Sequence, residues 1–258
     1  YDGIMIKSYS ICPQAAGKYI SSLYGTKKNI WIGTDEGIYI YAYATETFTY
    51  FDLTTPNNVR ITSIVNHILQ DKDGNLWFST NGQGLFRYNL SKNYLEQYEF
   101  TSAFGIVAST MADSDNQIWA LTNQGESGVY KLNKAENKFE PFGLLYNAGN
   151  HHSQALAMLE DSEQTLWLGT WECGLQKIDK YTRQTTTYLH PTDGKGVTHI
   201  HSLMEYAPHQ LLIGSDDGLL LFNTLTEEYK LFTENETVPN SLSNRFVYPI
   251  IKDREGGI

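Results

Sequence analysis

The feature that most constrains how this chain folds is a tryptophan-centred segment that recurs along its length. Trp31, Trp77, Trp119 and Trp167 each lie in a short apolar run, and Leu212 takes the tryptophan position in a fifth run. Successive centres are 42 to 48 residues apart. A glycine-bearing turn, an alternating apolar run and a second aromatic run follow each centre. Self-similarity at such a period indicates a repeat architecture, in which one supersecondary unit is copied along the chain.

Each repeat holds four short apolar runs separated by turn residues, which predicts four short antiparallel strands. A period of about 45 residues with four strands per unit is typical of a β-propeller blade. We therefore predict an all-β fold with five full repeats and partial repeats at both ends, the last at 246–258. Residues 1–258 then form a single propeller domain or a fragment of one. The first strands of successive units are predicted at 64–70, 106–112, 154–160, 199–205 and 246–252.

The edges of such an arrangement need partners, because an unpaired strand edge invites pairing with other chains. The segment 246–252 could share a blade with a strand at 4–9, which would give a six-bladed ring with one incomplete blade. The alternatives are an open arc and an edge-paired oligomer.

An acidic turn precedes the tryptophan by six positions in three of the repeats. Asp71, Asp113 and Asp161 open these turns, and Asp253 opens a turn of the same form near the end of the sequence. The repeat pattern predicts tryptophan at position 259 of a longer parent chain.

Composition narrows the classes of function. Hydrophobic residues make up 41% and charged residues 19%, which is typical of a globular chain. The formal net charge of −10 disfavours binding to phosphate backbones, so we expect no nucleic-acid partner. The sequence contains no apolar run of about 18 residues, so we expect no direct membrane insertion. No signal-peptide pattern opens the sequence. Two cysteines are too few for a disulfide framework. The sequence has no nucleotide-binding or metalloprotease motif, so we expect no cofactor.

The repeat residues resemble a known family. The turn, the Leu-Trp-Ile-Gly-Thr-like strand and the Gly-Leu-x-x-Tyr-Asp-like run are similar to the two-component-regulator propeller repeat. The best matches are residues 71–88, residues 161–179 and residues 239–244 running into Asp253. Two repeats depart from the pattern: Ala120 and Leu121 stand where Ile-Gly is expected, and the fifth repeat lacks tryptophan.

This resemblance implies a location and a function. Such repeats occur in the periplasmic sensor region of hybrid two-component proteins of Bacteroidetes, usually as two seven-bladed propellers followed by a β-sandwich, a membrane helix and a kinase. The chain is therefore expected to be a fragment of a seven-bladed propeller, periplasmic and not itself an enzyme. Its expected role is to bind an oligosaccharide signal that a kinase outside this chain reads. Its expected partners are that oligosaccharide, a second propeller or the sandwich domain, and a second copy in a homodimer.

Candidate binding residues come from the loops predicted to converge on one face of the blades. Trp171 is the most distinctive, because it lies in a turn where other repeats carry Asp or Asn. Its indole offers a flat apolar face, on which sugar rings stack, and a polar edge. The full set of predicted ligand-binding residues is Trp171, Glu172, His151, His152, His199, Arg60 and Arg245.

Three alternatives remain open. His199 and His201 fall on one face of a strand as a metal pair would, but no Asp or Glu is expected at a matching register to complete a site. Paired carboxylates among the turn residues would support a propeller lyase or hydrolase, although Asp and Asn before Gly also serve simply to form turns. The third alternative is a protein-interaction scaffold without a small ligand.

Overall fold

The computed structural model describes residues 18–100, 105–122, 128–144, 154–190, 196–235, 237, 241–253 and 256–258. Within these ranges the chain forms five four-stranded antiparallel sheets, in which each strand pairs with the next one along the sequence. The predicted four-stranded repeat is confirmed. The chain divides into two compact units, residues 1–99 and 100–258. The interpretation of 1–258 as one propeller domain stays a prediction.

The first unit contains two sheets. Their strands are β1 (Ile20–Gly25), β2 (Asn29–Thr34), β3 (Gly37–Ala42) and β4 (Thr47–Tyr50), then β5 (Val65–Gln70), β6 (Leu76–Thr80), β7 (Leu85–Asn89) and β8 (Tyr94–Tyr98). The first strands of the two sheets, β1 and β5, pack against each other. The core between the sheets contains Trp31, Phe51, Val65, Phe78 and Phe86.

The second unit contains three sheets. Their strands are β9 (Val107–Ala112), β10 (Ile118–Thr122), β11 (Gly128–Asn133) and β12 (Lys138–Leu144), β13 (Ala155–Glu160), β14 (Leu166–Thr170), β15 (Leu175–Ile178) and β16 (Thr185–Tyr188), then β17 (Ile200–Ala207), β18 (Gln210–Ser215), β19 (Gly218–Asn223) and β20 (Tyr229–Phe232). Strand β13 packs against β9 on one side and β17 on the other. The second strands β10 and β14 are buried throughout, as a sheet covered on both faces requires.

The acidic turn and the tryptophan form one hydrogen-bonded unit. The indole Nε1 of Trp77 donates to Asp71 Oδ2 at 2.8 Å, and the backbone N–H groups of Asp73 and Asn75 donate to Asp71 Oδ1 at 3.0 and 2.8 Å. Trp119 and Trp167 make the same bond, at 2.9 and 2.7 Å, to the aspartate six residues before each. A buried indole N–H needs an acceptor, which explains why the aspartate and the tryptophan recur together.

In the first and fourth repeats, the second strand ends in a Gly-Thr pair, and its glycine lets the first strand of the next sheet approach closely. A Cβ placed on Gly169 would lie 2.4 Å from Ile200 Cγ2 and 2.9 Å from the Ile200 carbonyl oxygen. A Cβ on Gly33 would lie 2.8 Å from the Val65 carbonyl oxygen in the first unit. Both contacts are closer than a side chain tolerates, so the first strand of the neighbouring sheet requires glycine at this position.

Leu121 departs from the repeat pattern, and a small residue in the next sheet compensates for its size. Leu121 occupies the glycine position of the third repeat, and the first residue of the next sheet is Ala155 where other sheets have Val or Ile. Both residues are fully buried in the same core cluster. A large residue on one side and a small one on the other fill the space that glycine and a branched residue fill elsewhere.

The last predicted strand is wrong in one respect. Residues 246–252 form no strand, although a backbone bond at 2.9 Å, from the Val247 N–H to the Ser215 carbonyl, links them to the preceding sheet. A strand needs a ladder partner, and no second strand for this repeat is present among the described residues. The Asp253 turn nevertheless forms as predicted, since Gly257 N–H donates to Asp253 Oδ1 at 2.7 Å. The predicted strand at 4–9 lies outside the described residues.

Removing the acidic acceptor should destabilise the first unit. Asp71→Ala leaves the buried Trp77 indole N–H and the turn amides without their acceptor, so we expect the free energy of unfolding in urea to fall by about 2–4 kcal/mol. Asp71→Asn keeps the shape of the side chain and should lose less. A loss below about 0.5 kcal/mol in both variants, the range of ordinary surface substitutions, would contradict the role of this bond.

The contact between Gly169 and Ile200 can be measured by a double-mutant cycle. Gly169→Ala should cost about 1–3 kcal/mol by overpacking, and Ile200→Ala should cost about 2–5 kcal/mol by leaving a cavity. The double variant should be more stable than the sum of the two losses predicts, because truncating Ile200 makes room for the new methyl group. Strict additivity in urea unfolding would show that the two residues do not constrain each other.

Candidate functional site

An aromatic and histidine cluster lies in the second unit where four segments meet. The β14–β15 turn supplies Trp171, the start of β17 supplies His199 and His201, and the β18–β19 turn supplies Asp216. Tyr248 is added by the segment after β20. These five residues are called the Trp171 cluster below.

Local backbone structure fixes the position of Trp171. The Thr170 hydroxyl donates to the Gly174 carbonyl at 2.7 Å and closes the turn. Gly174 has φ +67°, and a Cβ there would lie 2.4 Å from the Tyr188 carbonyl oxygen, so the turn requires glycine. The His199 N–H donates to the Trp171 carbonyl at 3.1 Å and ties the turn to the next sheet.

Asp216 holds the two histidines. The β17–β18 ladder pairs Ile200 with Ser215, so His199, just before β17, lies close to Asp216, just after β18. Asp216 Oδ1 accepts from His201 Nε2 at 2.7 Å, and Asp216 Oδ2 bonds His199 Nδ1. Because an ionised carboxylate only accepts, both facing ring nitrogens carry protons, and in a neutral ring the other nitrogen is then an acceptor.

The rings of the cluster form a row. Trp171 stacks on His199 with centroids 3.8 Å apart and 30° between the planes, and His201 lies 4.4 Å from Tyr248. Trp171 is 40% exposed and Tyr248 57% exposed, whereas the tryptophans of the repeat are buried. Stacking on His199 covers only one face of the indole, so an accessible aromatic surface remains beside hydrogen-bonding groups.

The carboxylate of this cluster is ionised over a wide pH range. Partial burial alone would raise the pKa of Asp216, but the hydrogen bonds from His199 and His201 outweigh it and lower the pKa below its ordinary value. The cluster therefore combines a fixed negative charge, two imidazoles and two exposed aromatic rings. Such a set can hydrogen-bond hydroxyl groups and stack on an apolar ring face.

The predicted site residues are only partly brought together. Trp171 and His199 are in contact, and Glu172 follows Trp171 in the same exposed turn. The Arg245 guanidinium stands 5.1 Å from the ring of its neighbour Phe246. Arg60, in the first unit, forms a salt bridge with Asp52 at 2.8 Å. His151 and His152 lie outside the described residues, and the ligand-binding role of all seven stays a prediction.

The expectation that no acidic residue matches the register of the two histidines is wrong, because Asp216 contacts both. It lies in a distant turn that strand pairing brings alongside, which spacing along one strand cannot reveal. Its carboxylate engages the two ring nitrogens directly. Among the described residues, no group of three or more His, Cys, Asp or Glu side chains is arranged to hold a metal ion.

Sequence reasoning left His201, Asp216 and Tyr248 out of the predicted ligand-binding set. A comparison of equivalent positions in neighbouring repeats could have identified two of them. Strand pairing places His201 in the register position that holds Leu156 in the preceding sheet, and Asp216 in the position of Trp171 itself. Positions at which the residue type changes so sharply between neighbouring repeats are not dictated by the repeat fold, and two of them meet in the cluster.

Comparison with known proteins identifies the type of repeat. Residues 58–82 match the family model described as two component regulator propeller. A histidine kinase, P4, of Formosa agariphila is 26% identical over 229 residues, which cover 84% of this chain and 16% of the relative. The predicted resemblance to two-component-regulator propeller repeats is confirmed. The chain spans only a small part of the curated relative that it matches.

Solved structures show the same fold. The extracellular domain of a hybrid two-component system from B. thetaiotaomicron has a TM-score of 0.76 at 22% identity, covering 92% of this chain and 30% of that chain. A second such domain from that organism has a TM-score of 0.67 at 19% identity, covering 92% and 38%. Virginiamycin B lyase from Staphylococcus aureus has a TM-score of 0.65 at 17% identity, covering 88% and 73%. The predicted all-β propeller class is confirmed.

In the described part of this chain, no helix has the length and apolar character needed to cross a membrane.

Stability should depend on pH through Asp216. Since its pKa is lowered on folding, ionised Asp216 stabilises the fold fully above its unfolded value near 3.8, and this contribution is lost as the pH falls through the lower folded value. We expect the difference in unfolding free energy between the wild type and Asp216→Asn, measured in urea, to shrink as the pH is lowered from about 7 towards about 3, where carboxylates become protonated. An equal difference at both ends of this range would contradict the assignment.

Proposed function

We propose that this chain is a ligand-binding propeller module from the periplasmic sensor region of a hybrid two-component protein, and that the Trp171 cluster binds an oligosaccharide. The observation that carries the proposal is the stacked, exposed Trp171 beside the His199–Asp216–His201 hydrogen bonds. The matched propeller repeat and the extracellular domains with the same fold support the sensor setting.

The chemistry of the cluster suits a sugar. The C–H faces of a pyranose ring are apolar and stack on an indole, while its hydroxyl groups need both donors and acceptors around their rim. Asp216 supplies acceptors, and each imidazole offers a further ring nitrogen. The ring of Tyr248 adds a second aromatic surface in the row. A ligand held by both the turn of one sheet and the first strand of the next would bias their relative arrangement, which is how binding is proposed to reach a kinase outside this chain.

A lyase is the second candidate, and one observation favours it. His199 and His201 share a carboxylate, an arrangement in which an imidazole can accept or deliver a proton. A Staphylococcus aureus lyase has the same fold, and a catalytically inactive histidine-to-alanine variant of that lyase was crystallised with Quinupristin. Release of an unsaturated product from any polysaccharide, abolished by His199→Ala, would favour the lyase over the binding module.

Oligosaccharide binding can be measured by thermal unfolding against a panel of neutral and acidic oligosaccharides. A ligand at about 100 times its dissociation constant adds about 2.7 kcal/mol, which for a chain of this size raises the Tm by roughly 5–10 °C. Trp171→Ala should abolish the shift, because it removes the stacking surface.

The matched control is Tyr181→Ala. Tyr181 is 81% exposed and lies in the β15–β16 turn, at the other end of the strands from Trp171. Its removal should leave the shift unchanged. An identical shift in the wild type and in Trp171→Ala would place the binding elsewhere, and no shift with any sugar would refute oligosaccharide binding by this chain.

A further inference from the structure

A second concave site lies at the opposite end of the strands in the second unit. It is a cavity of about 350 Å³ bordered by the Asp113 turn, the β11–β12 turn and the β15–β16 turn. The Trp171 cluster is built instead from the β14–β15 and β18–β19 turns. The residues that line this cavity and carry the argument are Gln117, Lys131, Lys134, Glu140, Phe142 and Arg183. It is called the Phe142 cavity below.

Two of its cations share one aromatic ring. Lys131 Nζ stands 6.0 Å and Arg183 Cζ stands 5.0 Å from the centroid of Phe142. Lys131 also lies 5.2 Å from the ring of Trp119, so its position is fixed by two buried rings. Cations are attracted to the faces of aromatic rings, so Phe142 helps to position both side chains in the lining of the cavity.

The backbone around Arg183 is also held in place. Its N–H donates to the Asp179 carbonyl at 3.0 Å, and its φ is +62°. The carboxylate of Asp179 accepts the N–H groups of Tyr181 and Thr182, each at 2.8 Å. These two bonds lower the pKa of Asp179 and direct its charge to the turn backbone.

Cations outnumber carboxylates in the lining of the cavity. Within the described ranges, Lys131, Lys134 and Arg183 form no salt bridge. The one carboxylate in the lining, Glu140, accepts the Asn133 side-chain amide at 2.9 Å. The Gln117 amide nitrogen is likewise committed, donating to the Leu132 carbonyl at 2.7 Å. On a chain whose net charge is −10, a cavity with three cations and one carboxylate is a local exception.

We propose that the Phe142 cavity binds an anionic oxygen group, a carboxylate or a sulfate ester, carried by a ligand. The guanidinium of Arg183 presents a planar set of donors that matches two oxygens of such a group, while the two lysines act as point charges. The partly apolar lining beside Phe142 accepts the body of the ligand. This site is independent of the one proposed for the Trp171 cluster.

The proposal is tested by calorimetric titration of the chain with sodium glucuronate, sodium acetate, inorganic sulfate and glucose, at an ionic strength held constant with sodium chloride. One binding site for sulfate or glucuronate, and none for glucose, is expected. Tighter binding of glucuronate than of sulfate and acetate indicates a uronate, and tighter binding of sulfate indicates a sulfate ester.

Variants locate the site. Arg183→Gln and Lys134→Gln should each weaken the binding of the better anion by about tenfold or more, the usual cost of losing a charge-assisted hydrogen bond. Lys230→Gln is the matched control, because Lys230 also lies over an aromatic ring, 4.8 Å from Phe232, and its loss changes the net charge equally. An unchanged Tm in each variant shows that folding is intact. Absence of binding by every anion, or equal weakening in the control, would overturn the proposal.

Discussion

A carboxylate that accepts a buried indole N–H is the interaction on which the repeat depends. Asp161 bonds Trp167 Nε1 at 2.7 Å and also accepts the N–H groups of Glu163 and Thr165. One side chain thus closes the turn before the second strand and satisfies the polar atom of the largest core residue. Without this carboxylate, the core would contain an unpaired indole N–H and the turn amides would lack acceptors. Each of these would lower the stability of the fold. Their coupling explains why the six-residue spacing is preserved while the intervening residues vary.

The two repeats without this aspartate solve the same problem differently. In the fifth repeat, Leu212 replaces tryptophan, so no indole N–H needs an acceptor and Tyr206 can occupy the aspartate position. In the first repeat, Thr26 closes the turn by accepting the Asn29 N–H at 3.0 Å and donating to the Asn29 carbonyl at 3.0 Å. The turn of the first repeat therefore closes without the aspartate, and the core of the fifth repeat forms without the tryptophan.

The fold could be predicted from the sequence because its period, turn residues and alternation all indicate the same unit. Strand β5 begins one residue later than predicted and β13 also begins one residue later, which is the ordinary uncertainty of element ends. The segment 246–252 was the exception, because strand character depends on a partner strand as well as on local sequence. Leu121 illustrates a related limit, since its tolerance at a glycine position depends on Ala155 in the next sheet.

The candidate site was less predictable, for a reason that lies in the fold itself. Trp171 and Asp216 occupy equivalent positions of neighbouring repeats, yet they meet at His199. Strand β14, which ends before Trp171, packs against β17, and β17 pairs with β18, which ends before Asp216. Spacing within a strand identifies His199 and His201 but not the distant turn that bonds them. The same holds for charge: a total of −10 does not reveal that Lys131 and Arg183 converge on one phenyl ring.

The repeated turn structure holds the residues of the candidate site in fixed positions. Each turn is anchored by bonds common to the repeat, such as Thr170 to the Gly174 carbonyl and Ser215 to the Gly218 carbonyl at 2.9 Å. These anchoring bonds are made by a Thr or Ser hydroxyl and a backbone carbonyl, so the side chains between them can differ from repeat to repeat while the anchors stay the same. A turn that holds Trp171 in one repeat and Asp216 in the next therefore presents different chemistry from the same rigid frame, which is the condition for a preorganised site.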